Sequence, residues 1–534
     1  MRRILLAIVL AFVVSGFAAA ESPADADAKA RAITKAIDNA LDADWAARSV
    51  TPAVVATDAE FARRLHLDLI GRIPTVAEVR TFEDDTTANK RAFLVDKLLK
   101  KPRFATQMAR VLRAAWLPET LTDINVQFLG LQYETWLRKQ LIAKTPLDKI
   151  VRRTLTAKIQ VGGRRNFRLA SSEEPEDDDA PIQAFYDAGQ SKPENLGSTV
   201  TRAFLGVKLE CAQCHDHPFA SYTREQFWEF AAFFGELNPL PRVRPSFVGP
   251  HLPQAEFNTL TIPSSAKVVT ATFFDGTVPK WSESRTPRAE LADWITGERN
   301  PFFARNMANR LWQQFFGIGL IDPVDEQGEG NPASHPELLT DLAKGLQAAE
   351  YDLRIVIRGI TASRAYNLSS KQSHASQAEP RRFARMNSKG LTANQIFDSF
   401  ATATGLRQSP GRNGASAQAG RVNFRTLFPD SARPTETQTS ILQALMLMNG
   451  KLMADQTSLD KSEILAAVAD APFLDTDKKV EALFYTALTR KPTPEEREKF
   501  TSYVDRGGPT GDAAKALGDV FWVLLNSTEF LFNH

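Results

Sequence analysis

Cysteine is almost missing from this chain: only Cys211 and Cys214 occur in 534 residues. Two thiols separated by two residues make a poor structural staple, because closing so short a loop removes little entropy from the unfolded chain. Histidine is also scarce, with seven residues. Neither sign of charge dominates, since 65 Lys and Arg stand against 63 Asp and Glu. Overall charge therefore gives no reason to expect a nucleic acid or an acidic membrane as partner. After the first twenty residues no stretch is apolar enough to cross a bilayer. No nucleophile elbow, phosphate loop, dinucleotide fingerprint or fixed-period repeat is present, which leaves the corresponding enzyme and solenoid classes without support.

What is there begins at the N-terminus. Arg2 and Arg3 precede an apolar run from Ile4 to Phe17, and Ala18-Ala19-Ala20 supplies small residues before Glu21. This pattern is a signal peptide over residues 1–20, so the mature chain is expected to be exported, either periplasmic or associated with the cell surface. Losing the two arginines leaves it formally neutral. A hydrophobic content of 43% and a charged content of 24% are ordinary for a globular protein. The length suits roughly two to four domains.

Residues 21–50 are rich in Ala and Asp with helical spacing, and read as a leader helix or a poorly fixed arm. From residue 51 the pattern is helical. Thr75 and Glu78 form a capping box, Phe93, Leu94, Leu98 and Leu99 share one helix face, and Trp136, Leu137 and Leu141 group within Leu129 to Ile142. Residues 162–181 interrupt this with Gly162-Gly163-Arg164-Arg165, an acidic tract from Glu173 to Asp179, and Pro181. Such a tract reads as a solvated loop. Residues 239–285 are Pro-rich and then carry a β-type run from Lys267 to Phe274, expected to form a short strand pair or a linker. Helices resume at Thr286-Pro287 and at a second capping box, Ser334-His335-Pro336-Glu337. Residues 405–435 read as a long surface loop, and helices run from Glu436 to the end, one capped at Thr493-Pro494-Glu495-Glu496. The expected fold is mainly α, with helical domains at 51–238 and 286–534 around the small β-containing linker.

One motif carries chemistry. Cys211-Ala212-Gln213-Cys214-His215 has the C-x-x-C-H spacing that attaches c-type haem. Thiols one turn apart each reach one vinyl group on the same porphyrin edge, and the next residue, His215, supplies the proximal iron ligand. An exported chain suits this chemistry, because covalent attachment prevents loss of the cofactor. Val200, Phe204, Val207 and Leu209 bring apolar bulk up to the motif. Phe227, Phe230, Ala231 and Phe234 make an apolar face on a helix capped by Thr223, expected to pack against another helix or against haem. Candidate sixth ligands are His251, His335, Met307, Met446, Met448 and Met453, and a five-coordinate iron is equally open. His217 lies too close to His215 to reach the opposite porphyrin face.

Other readings remain beside this one. Cys211, Cys214, His215 and His217 are all residue types that bind zinc or another transition metal, although crowding them into seven residues hinders a closed tetrahedral site. A thioredoxin-like redox pair lacks its βαβ setting. Asp322, Asp325, Glu326 and Glu329 could bind a cation or act as acid and base, but also fit a polar turn before Ser334. A haem-free scaffold is the third alternative.

Residues 61–235 resemble the planctomycetal cytochrome C family, domain of unknown function 1549. The resemblance lies in the run from Arg64-Leu65-His66-Leu67-Asp68 to Thr75, in Phe204-Leu205-Gly206 through Cys211-Ala212-Gln213-Cys214-His215-Asp216-His217-Pro218-Phe219, and in the continuation to Phe234. Residues 286–534 resemble its partner family, domain of unknown function 1553, through Asn300-Pro301-Phe302-Phe303, Asn309-Arg310-Leu311-Trp312, Phe316-Gly317-Ile318-Gly319-Leu320, and Asn331 to Leu339. The last ten residues have the same family look. The resemblance implies haem at Cys211, Cys214 and His215; the sequence does not identify the partner, whether a redox protein or a small-molecule substrate. Members commonly carry an Arg-His-Trp-Leu-Asp segment, whereas this chain has Arg110-Val111-Leu112-Arg113-Ala114-Ala115-Trp116-Leu117, without that His and Asp.

Overall fold

Ser22 opens the first helix by accepting a hydrogen bond from Asp25 N at 3.2 Å, with Pro23 at the first helical position. In this computed structural model the residues described are 22–123, 126–160, 179–218, 220–237, 258–282, 284–406, 421, 424, 435 and 450–534. The signal segment, Glu173 to Asp178, His251, Met446, Met448 and most of 405–435 lie outside them.

The leader is a helix and not a poorly fixed arm. α1, Pro23–Ala47, buries Ile33, Ile37, Leu41 and Trp45 at four-residue spacing. It lies on α14 (Pro336–Ala348) and α15 (Leu353–Ala362). Gly359 makes the close approach possible, since a Cβ there would fall 2.6 Å from Ile33 Cγ2. Thr34 Oγ1 donates to Gly359 O at 2.9 Å, and Trp45 Nε1 to Arg382 O at 2.7 Å.

Asp58–Ile70 forms α2 and Val76–Glu83 forms α3, the latter opened by the expected Thr75–Glu78 capping box. In α4, Lys90–Leu99, the buried face is Leu94, Val95, Leu98 and Leu99. Phe93 does not share it as expected and is 62% exposed, because one residue earlier turns it about 100° toward solvent. Next come α5 (Pro102–Trp116), α6 (Glu119–Thr122), α7 (Gln127–Ile142), α8 (Leu147–Thr156), α9 (Gln183–Ala188), α10 (Pro193–Val200) and α11 (Arg224–Ala231). Trp136, Leu137 and Leu141 are buried together on α7. The β-type run contributes only β2, Val268–Thr270, antiparallel to β1, Thr259–Thr261, with Leu260 opposite Val269.

α12, Pro287–Thr296, starts at the expected Thr286 cap. α13 spans Phe303–Phe316. The box expected at Ser334 does not form: His335 holds the cap position of α14 without a side-chain cap bond, and Ser334 Oγ instead meets His335 Nδ1 at 3.0 Å. Ser334 is drawn away by its own N–H, which donates to Leu320 O at 2.7 Å. The later helices are α16 (Ala393–Thr404), α17 (Lys451–Gln456), α18 (Glu463–Ala469), α19 (Thr476–Leu488), α20 (Pro494–Asp505), α21 (Ala513–Leu525) and α22 (Thr528–Leu531). Thr493 and Glu496 cap α20 as expected. A second small sheet pairs β3, Lys389–Gly390, with β4, Phe532–Asn533. The fold is mainly α, and no helix among the described residues is long and apolar enough to cross a membrane.

Two hydrophobic cores result. One runs continuously from Ala30 to Met386, and the other joins Leu391 to Phe530 with Leu67 and Ile73. α2 serves both, because residues two apart on a helix stand about 200° apart, so Leu67 faces the second core while Leu65 and Leu69 face the first. Its charged residues fasten it: buried Arg63 donates to Ala487 O, Glu529 O and Phe530 O, each at 3.1 Å, and Arg64 to Tyr366 O at 2.6 Å.

His66, buried in the middle of α2, is held by burial down to about pH 4, despite the opposing pull of Glu78. Its Nδ1 lies 2.8 Å from Ala62 O, so it carries a proton there and the ring is neutral. The unfolded chain takes up a second proton near the ordinary pH of 6.5, before the folded one does. The contribution is present above pH 6.5 and is lost as pH falls through about 4, a change on the order of 3 kcal/mol. Urea unfolding from pH 7 to 4 should show this slope, and His66→Gln should flatten it. An unchanged slope in the variant would rule out His66 as its source.

Candidate functional site

The approach to the motif is rigid. α10 runs into one π-type turn, Thr201–Leu205, which ends at Gly206 with φ +69°. Only glycine suits this position, since a Cβ would lie 2.7 Å from Asn306 Oδ1 in addition to the backbone strain. Asn306 Nδ2 donates to Ala203 O at 2.9 Å, and Arg310 Nη2 to Arg202 O at 2.7 Å. Phe204 packs edge-on to Trp116 at 5.1 Å and parallel to Phe185 at 6.1 Å. Val200, Val207 and Leu209 are buried with it. Nearby, Arg110 and Arg113 both pair with Glu134, Arg113 at 2.7 Å.

The motif itself forms a short 3-10 turn, Glu210–Gln213, with Cys214 at its end. Ala212 is 0% exposed and anchors the turn, while Cys211, Cys214 and His215 all face solvent. His215 Nδ1 is 2.7 Å from Asp216 O. A carbonyl oxygen can only accept, so Nδ1 carries the proton and Nε2 keeps the lone pair. His217 is half-buried: its N–H donates to Tyr222 O at 2.8 Å, and its ring stands edge-on to Tyr222 at 6.4 Å. Burial, reinforced by Glu329, pushes the Tyr222 phenol up.

α11 holds this loop from behind. Thr223 and Gln226 form a capping box, and Arg224 N donates to Asp216 Oδ1 at 2.8 Å. Trp228 Nε1 reaches Gln213 O at 3.1 Å and Arg224 Nε reaches the same oxygen at 3.4 Å. The segment between Asp322 and Asn331 reaches the site from the other side. Glu326 bridges to Val207, Gln327 N donates to Gly206 O at 2.8 Å, and Gln327 Nε2 to Leu205 O at 3.1 Å. Asp325 is an ion-pair partner of Arg310. The acidic group is therefore a polar turn fastened to the motif's approach.

Phe227, Phe230, Ala231 and Phe234 are buried in helix packing, with Gly197 of α10 so near that its Cβ would lie 3.2 Å from Ala231 Cα. Met307 and Met453 are buried, one in each core, and His335 lies beside Asp44 at 3.6 Å. Among the described residues, no group of three or more His, Cys, Asp or Glu is placed to hold a metal ion. Cys211, Cys214, His215 and His217 are not gathered into a closed site. Sequence reasoning passed over Asp216, Arg224 and Trp228. The capping box was the available signal, since it sets 224 and 228 one turn apart on one helix face.

Comparison with known proteins agrees with the domain order. Residues 36–238 match the family model described as PSCyt2, protein of unknown function (DUF1549), and residues 287–423 match PSD1, protein of unknown function (DUF1553). No curated protein and no solved structure matches the chain. The chain thus carries a segment similar to DUF1549 followed by one similar to DUF1553.

Proposed function

We propose that this chain is an exported c-type haem protein, with Cys211 and Cys214 joined to one porphyrin and His215 as its iron ligand. The observation that carries this reading is two solvent-facing thiols on one turn, followed directly by an imidazole whose Nδ1 is engaged by Asp216 O. That bond leaves Nε2 as the nitrogen with a free lone pair, the form in which histidine binds iron. Each thiol adds its sulfur to one vinyl carbon and its hydrogen to the other, so attachment needs no oxidant.

The bound group supplies one-electron or ligand-binding chemistry at iron. The chain supplies attachment, a fixed imidazole orientation, and a rigid approach through Gly206. Because the thiols lie at the surface, a donor or acceptor, protein or small molecule, can come close without an opening step. This favours electron transfer or a redox reaction at an accessible iron.

Protein made with a cytochrome c maturation system should give a visible and pyridine-haemochrome spectrum with both vinyl groups saturated. His215→Ala should keep the thioethers and lose the proximal ligand, seen as a changed spin state. Colourless protein with two free thiols would end this reading.

A further inference from the structure

We infer that Asp216, Arg224 and Trp228 are positioning residues for the His215 imidazole. The purpose of the arrangement rests on the haem reading above, but its geometry does not.

Cys214 and His215 lie in an exposed loop, after a turn of only four residues. Such a loop, left to itself, samples many backbone conformations, and a histidine on it has no fixed direction. Here the loop is pinned immediately before and immediately after these two residues. Before them, the Gln213 carbonyl accepts from Trp228 Nε1 at 3.1 Å and from Arg224 Nε at 3.4 Å. After them, the Asp216 carboxylate accepts from Arg224 N at 2.8 Å. That N–H belongs to the first turn of α11, where the aligned peptide dipoles also favour a negative charge. With Asp216 fixed, its carbonyl has a set direction, and it takes the His215 Nδ1 proton at 2.7 Å.

The clamp has its own support. Trp228 is buried, with its ring edge-on to Phe227 at 5.5 Å. Arg224 Nη2 donates to Pro263 O at 2.6 Å, in the turn that joins β1 to β2. Lys267 Nζ meets Glu225 Oε2 at 2.5 Å beside it. The small β hairpin thereby braces α11, and α11 braces the motif. A hydrogen bond from the ring nitrogen that does not bind the metal fixes the imidazole tautomer and ring plane and tunes a histidine toward iron.

The test uses Trp228→Phe, which keeps the ring and removes its donor, and Asp216→Ala, which removes the acceptor at an exposed position. Asp216→Asn restores an oxygen acceptor for Arg224 N. In haem-free protein in alkaline buffer, long-range nitrogen–proton NMR reads the imidazole tautomer directly. The Nδ1–H form should dominate in the parent and in Asp216→Asn. In Asp216→Ala and Trp228→Phe that dominance should be lost in favour of the Nε2–H form, which free imidazole prefers. In haem-loaded protein the same two variants should shift the iron–histidine stretch, with Asp216→Asn returning it toward the parent. A parent dominated by Nε2–H, or variants that all retain Nδ1–H, would overturn the inference. Failure of haem to attach would leave the tautomer result standing and would count against the haem reading alone. Asp216→Ala keeps the test decisive if Trp228→Phe misfolds.

Discussion

Asp68→Ala is expected to lower the unfolding free energy by about 3–5 kcal/mol, a large part of the roughly 5–15 kcal/mol available to a folded chain. Asp68 is buried on α2 and accepts from Lys389 Nζ at 2.7 Å, Asn533 Nδ2 at 2.8 Å and the Tyr366 hydroxyl at 2.8 Å. Lys389 Nζ also donates to Gln314 O at 2.8 Å and Phe315 O at 2.9 Å. Burial pushes the Asp68 carboxyl up and the Lys389 amine down, and their mutual attraction opposes both shifts. Removing the carboxylate leaves Lys389 either charged without a counter-ion or forced neutral, and both states are costly. The hydroxyl of Tyr366 and the amide of Asn533 lose their acceptor as well. Asp68→Leu with Lys389→Met should recover much of the loss, because an apolar pair of similar volume removes the stranded charge. Urea unfolding of the single and double variants checks this. Equal losses in both would show that the ion pair is not the source. The network joins Asp68 in the segment that matches DUF1549, Tyr366 and Lys389 in the segment that matches DUF1553, and Asn533 in β4, so its failure should unfold both cores together.

Cys211→Ser with Cys214→Ser is expected to abolish covalent haem while leaving the fold intact. Both side chains face solvent, and a surface exchange of sulfur for oxygen changes stability by about 0.5 kcal/mol or less. Each single variant should retain one thioether and one unsaturated vinyl group, which the pyridine-haemochrome spectrum separates from two thioethers. Haem that survives denaturing extraction in the double variant would place the attachment elsewhere.

The local features of this chain were legible and the distant ones were not. Thr75–Glu78, Thr223, Thr286 and Thr493 announced their helices because a cap acts within four residues. The five-residue motif was legible for the same reason. His335 escaped because Leu320, far along the chain, claims the neighbouring Ser334 amide. The β3–β4 pair joins residues 389–390 to 532–533, and neither stretch is long enough to show a strand pattern. Asp68 and Lys389 are 321 positions apart, and only the folded chain reveals them as partners. The clamp on His215 escaped for another reason. Three of its four bonds end on the carbonyls of Gln213 and Asp216, and every residue type has a carbonyl.

The most direct measurement is the intact mass of the protein after co-expression with a haem-attachment system. A chain heavier by one porphyrin, with the added mass mapped to a peptide spanning residues 211 and 214, is the expected result. A mass equal to the polypeptide alone, with both sulfurs open to alkylation, would contradict it.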